Sequence, residues 1–453
     1  MKKNLVLFLG VALFVALFYN QGPGLNLSFF AILSWSAVFL TTRKENHTAL
    51  FWWLTGALGI AAGAFAWYGD PVSFLAVFAS LALLVCKAHE PVMHVLLVPF
   101  ASAANFISFI FRAPVLTGWL PVNGLLTVNF YKKAIYYFLV PGALAVSFLV
   151  VYSSGSSLFQ SFFHINWNAD FLQIGFLTTL GFFLMFSIVH YWAPSKLTAI
   201  SRKLKDHFPG TAPRQSAGWL AVDAGFYQKS AGISLIVLNI IVAFFITTYC
   251  IEQFGNGTTG NTLSNELHER VYLLIFSIVM AIFVILLFFR GILNFTSNTG
   301  QLKKYAYIWI TLNLLLLIVV TLKNNQYVGA YGLTFKRLGV YFFLLLCSIG
   351  LFFTFLKIKN KKTNTYLVGR MVWAGYTALV IGASINWSWI VTKYNLEYQK
   401  TFDREYANSL SFNKQLLYDT GLLTKEALLQ LQHQHQVHPL LSQNLYYTTL
   451  NHH

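Results

Sequence analysis

The chain has 453 residues, of which 57% are hydrophobic, 17% aromatic and only 10% charged, against roughly 25% charged residues in a soluble globular domain. At about 20 apolar residues per crossing, this composition describes a multi-pass membrane protein and leaves no room for a large soluble catalytic domain. Three cysteines, Cys86, Cys250 and Cys347, all lie at or inside apolar stretches, which excludes a disulfide scaffold or a paired-cysteine metal or redox site.

Residues 4–18 are apolar behind Lys2 and Lys3, and no small-x-small cleavage site follows before a second apolar run at 25–40. The pair predicts an uncleaved first span and a tight turn over 20–24. Further spans are predicted at 49–67, 72–86, 134–152, 171–191, 230–250, 271–289, 305–322, 338–356 and 368–390. Residues 91–111 are apolar too, but Pro91 and Pro99 interrupt them and Ser102, Asn105 and Ser108 are polar for lipid exposure. Cytoplasmic loops carry the Lys/Arg excess. If 91–111 does not cross, eleven spans place 22 Lys/Arg inside and 9 outside; if it crosses, the division becomes 14 against 17. The sequence therefore predicts an all-α polytopic bundle of about eleven spans, with 91–111 a re-entrant or in-plane segment. The N-terminus is then inside and the C-terminus outside.

The net charge of +17 sorts by membrane side, so it points to anionic lipid headgroups at a basic cytoplasmic face and not to nucleic acid. In the largest inner loop, Leu197, Ile200 and Leu204 recur at helical spacing among basic residues, which predicts an interfacial amphipathic helix. After Ile390 the composition turns polar. The chain thus divides into a transmembrane part, 1–392, and a helical extracytoplasmic tail, 393–453, in which Leu410, Phe412, Leu416, Leu417, Leu428 and Leu431 suit short amphipathic helices.

Ionisable groups inside spans mark function because burying charge in hydrocarbon is costly. The span centres here carry only Asn, Ser, Thr, Gly and Tyr, which argues against a proton-driven pump. His433, His435 and His438 offer three imidazoles, but on a helix the first two diverge and no carboxylate sits beside them, so no metal or other cofactor is expected. His268 and Glu269 open the eighth span at the outer surface without the spacing of a metalloprotease, and an acid in a first helical turn also suits the helix dipole.

From His268 onward the chain resembles a bacterial polytopic membrane-protein family, common in Bacteroidetes and known as domain-of-unknown-function family 4153, overlapping 4173. The resemblance rests on His268-Glu-Arg-Val271, Phe288-Phe-Arg-Gly-Ile-Leu-Asn-Phe295, Tyr307-Ile-Trp-Ile-Thr-Leu-Asn313, Asn325-Gln-Tyr327, Tyr331-Gly-Leu-Thr-Phe-Lys-Arg-Leu-Gly-Val340, Lys357, Ile385-Asn-Trp387 and Lys393-Tyr-Asn-Leu396. It departs at Arg270, where a small residue is expected, and at Ser388, where Asp is expected. The resemblance implies a fold and a bacterial inner-membrane location, and it carries no reaction. Its residues gather at span ends, where Tyr, Trp and Arg form the ordinary anchoring belt; the sharper alternative is an outer polar cluster of His268, Glu269, Arg337 and Asn395 with no catalytic assignment. The expected function is a non-enzymatic accessory or regulatory envelope component presenting its tail to a protein partner. A permease or lipid-handling protein with an outward-facing polar cleft is the alternative.

Overall fold

The computed structural model describes residues 2–115, 119, 137, 141, 144–145, 148, 152, 169–208, 224–255, 263–289, 299–399 and 402–450; the side chains of 2, 169, 224, 227, 252–255, 263–275 and 299 are outside the description. The described residues are helical, and their one β-bridge joins His207 to Lys362.

Among the described residues six helices build a first bundle: α1 (Lys2–Phe18), α2 (Leu25–Thr41), α3 (Ala49–Tyr68), α4 (Pro71–His89), α5 (Val98–Arg112) and α6 (Ala169–Val189). After the short α7 (Ser195–Lys203), four long helices form a second: α8 (Ala224–Gly255), α9 (Leu263–Phe288), α10 (Thr299–Tyr331) and α11 (Phe335–Lys359). Helix α12 (Asn364–Ser384) returns to the first, adding Tyr376 and Val380 to a core of Leu7, Phe14, Phe30, Leu54, Leu84, Met185 and Phe186. The second core gathers Leu235, Ile278, Ile285, Trp309, Val320, Leu344 and Leu351. Ile240, Phe244 and Phe276 point outward. In water such faces mark an interaction or aggregation surface; here they are what lipid solvates.

Eight described helices are long and apolar enough to cross a membrane, and three apolar helices are shorter, Lys3–Phe18, Leu25–Thr41 and Phe276–Phe288. The expected span at 134–152 falls almost wholly outside the described residues. The expected span at 368–390 is broken: α12 stops at Ser384, and Asn386 caps a new helix, α13 (Trp387–Tyr398), by accepting from the Trp389 N–H at 3.0 Å.

Of the two prolines expected to interrupt 91–111, Pro91 does lie in the turn after α4, and Pro99 breaks nothing. Val95–Arg112 is a helical run of 18 residues, one of the eight. Pro99 falls in the first turn of α5, where no N–H is needed, and the polar side chains are satisfied inside the protein. Asn105 Nδ2 donates to the Ser187 carbonyl at 2.9 Å, and Arg112 donates to Asn105 Oδ1, Ser108 Oγ and the His190 carbonyl. Both ends of the segment meet the same end of α6: His89, just before it, lies 3.0 Å from the Ile188 carbonyl, and Arg112 reaches His190 at 2.6 Å.

The connections sort onto two faces. On one, Asn46 donates to the Ala88 carbonyl, the His94 N–H to Ser201 Oγ and the Thr363 N–H to the Asp206 carbonyl. This face carries Arg43, Lys44, Arg202, Lys203, Lys205, Lys359 and Lys361 against Glu45, Glu90 and Asp206. Fully buried Lys357 donates to the Phe289 carbonyl at 2.8 Å, placing a cation on the C-terminal end of α9, where the helix dipole favours it.

The opposite face holds the remaining helices, α14 (Arg404–Ser409), α15 (Lys414–Asp419), α16 (Lys425–Gln436) and α17 (Leu445–Thr448). Leu428, Tyr446 and Leu450 form their small core, with Phe412 and Leu423 packed on it. They dock onto the first two hairpins of the chain: the Gly22 N–H donates to Ser442 Oγ at 2.9 Å, the Leu25 N–H to the Gln443 carbonyl at 3.2 Å, and the Tyr68 and Phe412 rings lie 5.0 Å apart. A Cβ on Gly24 would sit 2.5 Å from the Ser442 carbonyl carbon, so glycine is what permits this approach.

Candidate functional site

Of the four residues expected to cluster, the structure brings two onto one turn. Helix α10 ends at Tyr331, and Gly332 follows at φ +80°, a left-handed position that glycine adopts freely. Asn395 on α13 exchanges two hydrogen bonds with Leu333, accepting from its N–H at 2.6 Å and donating to its carbonyl at 2.9 Å. Arg337 in the first turn of α11 donates to the Tyr331 and Gly332 carbonyls and lies over the Tyr331 ring at 5.6 Å. Both residues therefore close a helix end, a task that asks for hydrogen bonds and a cation near exposed carbonyls. His268 and Glu269 lie within α9, and their side chains fall outside the described residues. Among the described residues the one ion pair is Lys393 with Glu397, at 3.8 Å.

The imidazole run lies on and just after α16. His435 stacks on Tyr447 at 3.7 Å between ring centroids, and its Nδ1 lies 2.8 Å from the Leu431 carbonyl.

The feature with the shape of a site lies elsewhere. A cavity of about 660 Å³ opens between α11 of the second bundle and α12 of the first, beneath the segment that leads from α14 to α15. Its walls are Leu338, Phe342 and Leu346 on α11 and Gly375, Ala378, Leu379 and Gly382 on α12. Tyr68, Asp70, Asn386, Ser388, Ser409 and Ser411 stand at its mouth. From Phe335 at the mouth to Leu346 is three turns of helix, about 16 Å at 1.5 Å per residue, roughly half of a hydrocarbon core about 30 Å thick. The groove is thus polar at its mouth and apolar over a depth equal to about half that thickness. Missing side chains keep it open: a Cβ on Gly339 or Gly375 would meet nothing within 4 Å.

Sequence reasoning missed this site, although one signal was present. Gly375, Ala378 and Gly382 recur at i, i+3 and i+7, a stripe of small residues along one helix face of the kind that usually lets helices approach closely. Here Gly382 does meet the opposite wall, where a Cβ would lie 3.8 Å from the Phe342 ring, whereas Gly375 faces open space. Asp70 at the mouth also starts a helix: Asp70 Oδ1 accepts from the Ser73 N–H at 3.0 Å, with Pro71 at the first helical position.

Long apolar helices in two bundles define a multi-pass α-helical membrane protein. The chain belongs to the family described as Domain of unknown function (DUF4153), whose model matches residues 29–420. That stretch takes in every wall of the groove and its mouth. The comparisons with curated proteins and with solved structures found no match.

Proposed function

We propose that the protein handles membrane lipid, holding one acyl chain in the groove between α11 and α12. The single observation that carries this reading is the groove's polarity gradient at bilayer depth. Its volume of about 660 Å³ lies inside the range of roughly 300–1,000 Å³ typical of small-ligand sites, and the solvent beside it is hydrocarbon. A permease would want polar groups carried to the mid-membrane, whereas Leu346, Gly375, Ala378 and Leu379 line the deep end. The groove shifts the preference away from an accessory component presenting a free tail, because residues 409–412 form part of its rim. A protein partner on the outer surface of the tail is compatible with this reading.

In the same reading the basic face lies against anionic headgroups on the cytoplasmic side of a bacterial inner membrane. The N-terminus is then inside and the groove mouth opens at the outer leaflet. No cofactor and no nucleic acid enter the proposal.

Reconstitution with a phospholipid carrying a photoactivatable group near its chain terminus tests it. Cross-linked peptides should be enriched at Leu346 and Leu379 over Phe244, which is 71% exposed on the outer wall of α8. Gly375→Leu, filling the floor without a backbone clash, should remove that enrichment. Labelling spread evenly over the lipid-facing surface would sink the proposal.

A further inference from the structure

The chemistry of the mouth goes further than the apolar walls. Among the residues lining the groove, Asp70 is the one carboxylate, and no Lys or Arg stands beside it there. Its Oδ1 is occupied in capping α4, accepting from the Ser73 N–H and hydroxyl. Its Oδ2 accepts no hydrogen bond among the described residues. A cap needs one acceptor, which Ser, Thr or Asn supplies equally well. The negative charge also suits the N-terminal end of the α4 dipole, and the free Oδ2 leaves it able to take a further partner. It stands half-buried at the rim of an apolar groove, where the lowered dielectric strengthens its attraction for a cation above the value in water. Asn386 is committed to the Phe412 carbonyl and the Trp389 N–H, so the mouth offers neutral polar groups and a single anion.

We propose that the occupant of the groove is an amine-headed phospholipid, its ammonium held by Asp70 while one acyl chain fills the space between α11 and α12. This rests on the lipid reading of the same groove and adds the headgroup. It also sets the two faces in opposite sense: the basic face attracts anionic headgroups, and the mouth disfavours them.

The test compares two photoactivatable lipids with identical chains, phosphatidylethanolamine and phosphatidylglycerol, each in vesicles of otherwise neutral phosphatidylcholine containing the full chain. Both carry a phosphate, so the comparison isolates the ammonium. At Leu346 and Leu379 the amine-headed lipid should label about threefold to fivefold better, the upper range for a solvent-exposed ion pair. Asp70→Asn keeps a good cap and removes the charge, so it should bring the ratio to about one. Asp70→Glu should restore the preference. Equal labelling by the two lipids in the unaltered protein, or a preference that survives Asp70→Asn, would overturn the headgroup assignment and leave the lipid reading standing. Absence of groove labelling above Phe244 would overturn both.

Discussion

Asn395 and Leu333 hold each other by two hydrogen bonds across 62 residues of chain, the side-chain amide of one matching the backbone N–H and C=O of the other. The amide acts as a short piece of strand edge, pinning α13 to the turn that joins α10 to α11. Asn395→Ala leaves a mostly buried donor and acceptor without partners and should cost about 1–3 kcal/mol. Arg337→Gln should loosen the same turn. Because the two side chains serve one element, the double variant should lose less than the sum of the singles. Thermal unfolding in detergent measures all three; strict additivity would mean that the two contacts act independently.

A second expectation concerns the path of 91–112. Both ends of this segment bond to the same end of α6, so the chain should return to the side it left. Single cysteines in place of Val92, 64% exposed, and Val115, 49% exposed, report this with an impermeant thiol reagent in sealed, oriented vesicles. Both should react from one side, the side on which a cysteine at Lys196 reacts. Labelling from opposite sides would make Val95–Arg112 a crossing helix and reverse the sidedness of the loops after it.

The approach of Gly24 to Ser442 predicts a steric effect free of backbone strain. The φ of Gly24 is −166°, an extended value that any residue adopts, so Gly24→Ala is a matter of space alone. The added methyl would press on the backbone at Ser442, and overpacking of this kind typically costs about 1–3 kcal/mol. Limited proteolysis should then cut between α16 and α17 faster than in the unaltered protein. An unchanged cleavage rate would show that residues 440–444 yield without undocking.

Much of this architecture is legible in the sequence, because hydropathy and capping act locally. Among the described residues the apolar runs become helices near their expected places, and Thr424 caps α16 by accepting from the Ala427 N–H. What escapes the sequence is set by distant partners. The polar residues of 91–111 read as unfit for a helix in lipid until Ser187 and His190 are seen to satisfy them. The groove is invisible because its walls are two consecutive helices that touch along part of their length, at Gly350 beside Met371 and Gly382 beside Phe342, and the place where they part is a tertiary fact. Arg337 and Asn395 stood out as polar groups at span ends, and the turn they share is a tertiary fact.

The tail should respond to alkali. Burial pushes the Tyr446 hydroxyl up to about 12, partly offset by hydrogen bonds from the Gln415 and Lys414 amides. A phenol whose folded value exceeds the unfolded value of about 10 holds its proton more tightly when folded. Its contribution is whole below pH 10 and is lost as pH rises from 10 to 12, amounting to roughly 2–3 kcal/mol. Near-ultraviolet absorbance of phenolate, followed alongside protease sensitivity of residues 425–450, should show the two rising together. In Tyr446→Phe the protease sensitivity should lose most of its dependence on pH over that window.

The bond between Gly22 and Ser442 spans 420 residues, which orders events during synthesis. The hairpin of α1 and α2 is made with the Gly22 and Leu25 amides waiting for acceptors that the ribosome reaches only some 420 residues later. Until then water holds those positions, and the rim of the groove, which needs residues 409–412, is incomplete. A chain halted before residue 409 would insert its helices yet lack the mouth. The later-made segment is therefore the keystone laid across loops made well before it.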